Sequence, residues 1–82
     1  MSKYIIDRFK LTRDGQRRRV FYTGRSIDFS TRIENAKVFT NLERAKETFR
    51  YLMDCNMTVY IVEIKDNNKQ DIVYVPDMEI RK

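Results

Sequence analysis

The chain has no histidine and no tryptophan, one cysteine, one proline and two glycines in 82 residues. Without histidine the commonest general base is missing, and neither a Cys-His nor a Ser-His nucleophile can be assembled. Mixed Cys/His zinc sites are excluded for the same reason. Cys55 alone cannot close an internal disulfide, which fits a reducing compartment, so a cytoplasmic protein is expected. Two glycines supply no phosphate-cradling loop, and Thr23-Gly24 reads as a strand terminator. Asp54, Asp66 and Asp71 lack the spacing of a calcium loop. No stretch approaches about 18 apolar residues, and Met1 to Arg8 holds no apolar leader core, so neither a membrane span nor a signal peptide is expected. Catalysis would have to run on carboxylates, lysine or tyrosine alone. The expectation is a protein that is not an enzyme and uses no metal or cofactor.

What is present points to a folded chain. Apolar residues make up 41% and aromatics 12%, too rich for disorder. A chain of this length buries roughly 60–65% of its unfolded surface, enough for one modest core and no interdomain cleft. One domain, residues 1–82, is expected, with residues 77–82 as a fraying tail.

Tyr4 to Leu11 reads as a strand by its two-residue period, with Ile5, Phe9 and Leu11 on the core face, Asp7 the exception among them, and Tyr4, Ile6, Arg8 and Lys10 on the other. Thr12 to Gln16 carries an Asp-Gly turn signal, and Arg17 to Thr23 returns as a second strand. Residues 25–36 fit no single period and read as a loop with one helical turn near residues 30–35. Lys37 to Phe39 reads as a short strand. Thr40 and Glu43 form a capping box for a helix whose stripe is Leu42, Ala45, Phe49, Leu52 and Met53, with Asn56 as its left-handed terminator. Glu43, Glu47, Lys46 and Arg50 read as its solvated face. Thr58 to Ile64 is a central strand, Asp66 to Lys69 a turn, and Asp71 to Val75 a last strand stopped by Pro76. Tyr51, Tyr60 and Tyr74 read as packing residues with wet hydroxyls, and Cys55 as an inert thiol. The expected fold is α+β: about four mostly antiparallel strands in β-β-α-β-β order, with one amphipathic helix on one face. Leu42, Ala45, Phe49, Leu52, Val59, Ile61 and Phe9 are the expected core. The last strand is a candidate edge for pairing with a second copy as a homodimer.

The net charge of +5 is unevenly placed. Residues 1–32 hold nine Lys/Arg against three Asp/Glu, a net of +6, while residues 33–82 hold eight against nine, a net of −1. Seven of the nine are arginine: Arg8, Arg13, Arg17, Arg18, Arg19, Arg25 and Arg32. Arginine's planar fork suits phosphate and stacks on rings. With Val20 and Tyr22 in the core, Arg17, Arg19, Phe21 and Thr23 form the open face of the second strand. That face combines with Tyr4, Ile6, Arg8 and Lys10 of the first. Arg18 lies on the core side near the strand start, and Arg13 and Arg25 sit at the rim. Cations interleaved with rings on a sheet are how many proteins hold single-stranded nucleic acid. The candidate binding residues are therefore Arg8, Lys10, Arg13, Arg17, Arg18, Arg19, Phe21 and Arg25. The same composition also suits a solvated hairpin that stays soluble and avoids edge-to-edge pairing. A one-residue slip in register would exchange the faces. Both readings stay open at the level of sequence.

The runs Val20-Phe21-Tyr22-Thr23-Gly24, Asn35-Ala36-Lys37-Val38-Phe39 and Leu42-Glu43-Arg44-Ala45 resemble a pattern in small accessory proteins of tailed bacteriophages. The resemblance covers residues 17–64 and describes a fold more than an activity. It implies a host-takeover or counter-defence role, since many such proteins bind and disable a host enzyme or defence system. For basic members it implies inhibition of RNA-cleaving toxin–antitoxin systems, as an antitoxin-like factor. No binding residue carries over, because none of the matched positions is a functional signature. The expected partner is RNA or a ribonucleoprotein, with no membrane. The alternative is a protein-only module that docks its basic hairpin on an acidic surface of a host protein.

Overall fold

The computed structural model of the chain describes residues 2–75, and the expected tail at residues 77–82 lies outside them. The elements run β1 (Lys3–Leu11), β2 (Arg17–Tyr22), β3 (Phe29–Ser30), α1 (Leu42–Asp54), β4 (Tyr60–Ile64) and β5 (Gln70–Tyr74), with a 3₁₀ turn at Ile33–Asn35. The strands form one antiparallel sheet in the spatial order β3-β2-β1-β4-β5. The α+β class and the single helix follow the sequence reading. The strand count is five rather than four. Phe29–Ser30, expected within a loop, pairs with the end of β2 through Tyr22–Phe29 and Phe21–Ser30. The short strand expected at residues 37–39 is reduced to one bridge, in which Tyr4 and Phe39 exchange both backbone hydrogen bonds at 2.8 Å.

The β1–β2 hairpin closes where the Asp-Gly signal lies. Gly15 has φ +81°, a conformation that costs glycine nothing and other residues strain. The Thr12 N–H donates to the Gln16 carbonyl at 2.8 Å, and the Gln16 N–H donates back to the Thr12 hydroxyl at 3.2 Å. The β4–β5 turn uses Asn68 at φ +66°, and Asn56, the residue after the helix C-cap Cys55, turns the chain at φ +65°.

The N-cap of α1 is Asn41 rather than Thr40. Its side-chain oxygen accepts from the Glu43 and Arg44 N–H groups, and its backbone carbonyl takes the Ala45 N–H. Asparagine caps at least as well as threonine, and the first helical bond falls one residue later than the Thr-x-x-Glu spacing implies. Ala45, Phe49 and Leu52 are fully buried against Ile6, Tyr22 and Ile61 of the sheet and Val59 just before β4, with Tyr74 packed edge-on against Phe49.

The face assignment of β1 is inverted relative to expectation. Ile6 meets the helix, while Ile5 joins a second, smaller cluster with Phe21, Tyr60 and Val62 on the opposite face. Phe9, expected in the core, is 49% exposed. The cause is the consecutive pair Ile5-Ile6, buried on both sides, which erases the alternation in the first half of the strand. The row Phe9-Leu11 then imitates a core face where no helix lies. A 13-residue helix spans about 20 Å and a nine-residue strand about 30 Å, so α1 leaves part of its own sheet face uncovered.

Candidate nucleic-acid interface

Residues paired across two antiparallel strands share a face. Arg8 pairs with Val20 and Lys10 with Arg18, whereas Asp7 pairs with Phe21, Phe9 with Arg19 and Leu11 with Arg17. The expected single surface is therefore split. Arg8, Lys10 and Arg18 lie on the helix side of the sheet. Arg17, Arg19 and Phe21 lie on the other.

The helix-side cations meet at one cleft of about 670 Å³, lined by Arg8, Lys10, Leu11, Thr12, Arg13, Arg18, Val20, Ile27, Phe29, Thr31 and Met57. Four of these carry positive charge and none is acidic. Among the described residues no carboxylate lies within ion-pair distance of Arg8, Lys10, Arg13 or Arg18. Asp14, the acid of the hairpin tip, accepts a hydrogen bond from the Thr12 hydroxyl, which holds its carboxyl below the usual range. The Arg8 guanidinium lies over the Phe29 ring, 5.8 Å from its centroid. Phe29 packs on Tyr22 behind it at 5.6 Å between centroids.

The opposite face is built differently. Arg19 is ion-paired with Asp7, its Nη2 donates to the Gln70 side-chain oxygen at 2.7 Å, and its guanidinium lies 4.8 Å from the centroid of Phe21. Its hydrogen-bonding capacity is largely used within the fold. Phe21, expected as an exposed stacking ring, is buried beneath it. Arg17 stays exposed on this face. Burial raises the Asp7 pKa to about 6, against the smaller opposing effect of the Arg19 hydrogen bond and charge. Burial, with the Asp7 charge beside it, pushes the Tyr60 hydroxyl up to about 12. Arg25 sits in an adjoining groove of about 700 Å³ together with Asp28, outside the cation cluster.

Four of the eight candidate residues thus converge and four do not. Sequence reading missed the apolar floor of the cleft: Val20, Ile27, Phe29 and Met57. Its only trace in sequence is that Ile27 and Phe29 are large apolar residues in a segment of no period. Among the described residues no cluster of Cys, Asp or Glu is placed to hold a metal ion, and no helix is long and apolar enough to cross a membrane. Comparison with protein-family models, curated protein sequences and solved structures finds no match.

Proposed function

We propose that the protein binds RNA, alone or within an RNA–protein target, through the cleft formed by Arg8, Lys10, Arg13 and Arg18. The biological role proposed with it is the one the sequence resemblance implies, a phage-type counter-defence factor acting on a system such as a toxin endoribonuclease. One observation carries the reading: Lys10 and Arg18 stand directly opposite each other on paired strands, without an acid between them, at the mouth of an apolar-floored cleft. A hairpin built only for solubility gains nothing from like charges in register, because such pairs destabilise a sheet. A polyanion bound across them converts that repulsion into binding.

Salt dependence tests the reading. Four phosphate contacts on a single strand give a slope of log affinity against log salt near −3, at roughly −0.7 per contact. Arg8→Glu with Arg18→Glu is expected to abolish binding. Arg17→Glu on the far face, set against Arg18→Glu alone as a single reversal of equal size, is expected to leave most of it. Binding that survives the double reversal, or falls equally with Arg17→Glu, places the interface elsewhere.

The far face favours a second reading, docking on an acidic host protein. Phe9, Leu11 and Ile72 are 49%, 69% and 56% exposed there, beside Arg17 and Arg19. An apolar centre with a charged rim is the common anatomy of a protein interface. Purified protein that carries no nucleic acid, read from its absorbance ratio at 260 and 280 nm, would favour that reading.

A further inference from the structure

The cleft has two dissimilar halves. Arg8 and Lys10 stand two residues apart on β1, with Arg18 opposite Lys10 on β2. Two residues of strand advance about 6.7 Å, the scale on which successive phosphates repeat along an extended polynucleotide. Beside this row lies the apolar floor of Val20, Ile27, Phe29 and Met57, and Ile27 is 48% exposed. Phosphates make no use of such a floor. A duplex keeps its bases stacked inside and offers this surface only backbone, so the floor would stay wet.

We infer that the cleft receives an unstacked base of a single-stranded polynucleotide, laid on Ile27 and on the Arg8 guanidinium that covers Phe29, while Lys10 and Arg18 hold the flanking phosphates. This rests on the nucleic-acid reading above and narrows its ligand to single strands. Arg8 joins the two halves. Its guanidinium already lies over the Phe29 ring, so its outer face can stack on a base while its N–H edge reaches a phosphate. The cleft volume, about 670 Å³, falls within the roughly 300–1,000 Å³ of small-ligand sites. That suits a nucleotide and its neighbouring phosphates. The chemistry recognised, a base with phosphates on both sides, is common to RNA and DNA strands.

The test uses the full chain and fluorescence anisotropy with four probes of equal length: a single-stranded RNA octamer, its DNA counterpart, the RNA octamer with its central nucleotides abasic, and a blunt RNA duplex. The intact strand is expected to bind about 5- to 150-fold more tightly than the abasic strand, the range measured when a base–ring stack is removed. The two salt slopes should be equal, because the phosphates are unchanged. The duplex should behave like the abasic strand. Ile27→Ser, at a half-exposed position, should weaken the intact strand and leave the abasic strand unaffected, with an unchanged thermal melt. A weaker DNA octamer would support the inference and add the 2′-hydroxyl to what the cleft reads. An equal one would support it with the sugar outside. If intact, abasic and duplex probes bind alike, or if Ile27→Ser weakens all of them equally, the base slot is wrong while phosphate binding stands. If no probe binds, both readings fall.

Discussion

Lys10 and Arg18 hold like charges across adjacent strands, an arrangement that costs roughly 0.2–1 kcal/mol relative to a neutral pair. Arg18→Glu should therefore raise the melting temperature by a few degrees while weakening RNA binding, a trade between stability and function. A variant that loses both, measured by thermal melt and anisotropy, would show that the cations support the fold instead. Asp7 makes the opposite kind of demand. Its carboxylate is fully buried beside Arg19, and Oδ1 has no hydrogen-bond partner. Its folded pKa, about 6, lies above the ordinary 3.8. The stability this group contributes is thus fully present below about pH 3.8 and is lost as pH rises through 6, by roughly 3 kcal/mol at about 1.36 kcal/mol per unit. Asp7→Asn should remove that dependence, so urea midpoints of variant and wild type should diverge between pH 4 and pH 7. Parallel curves would mean the carboxylate titrates as an ordinary one. Sequence located the charge excess in residues 1–32 but not the partnering of its members. That Arg19 is consumed by Asp7 while Arg18 makes no direct ion pair among the described residues depends on which side of the sheet each points to, and one residue of register decides it.

Among the elements, the helix and both tight turns were readable because their signals are local. Spacing at helical period gives Ala45, Phe49 and Leu52, and Asp-Gly gives the hairpin. The cap was misplaced by one residue because Thr40 and Asn41 are both competent, and only the first helical hydrogen bond separates them. Asn41→Ala should cost about 1 kcal/mol and Thr40→Ala much less; equal losses in a denaturant titration would restore the Thr40 cap. Phe49→Ala should cost roughly 3–5 kcal/mol, a large share of the stability of so small a domain, and an unchanged melting midpoint would remove Phe49 from the core. β3 was not legible because two residues carry no periodicity. The face of β1 was not legible because burial on both sides of Ile5-Ile6 depends on β4, more than 50 residues away in sequence.

On the scale of the whole molecule, the sheet separates two surfaces that sequence reading had merged. The helix side carries the basic cleft, and the far side carries Phe9, Leu11 and Ile72. At one edge β3 is only two residues long, and at the other β5 has five. Among the described residues β5 pairs with β4 alone. We expect β5 to pair with its counterpart in a second copy, bringing Ile72 and its exposed neighbours together across a two-fold axis. Light scattering at tens of micromolar should give a dimeric mass, and Ile72→Lys a monomeric one with unchanged RNA affinity; a monomeric wild type would end the idea. The same strand order has a consequence for synthesis. β1 leaves the ribosome before β4, finds β2 within a few residues, and must then wait for β4, since Asp7 and Tyr60 are partners. At roughly 5–20 residues per second, the nascent hairpin spends several seconds with one edge unpaired and Ile6 uncovered. Every copy made therefore passes through an adhesive interval, which the cationic flank of that hairpin, by mutual repulsion between neighbouring chains, is well placed to keep harmless.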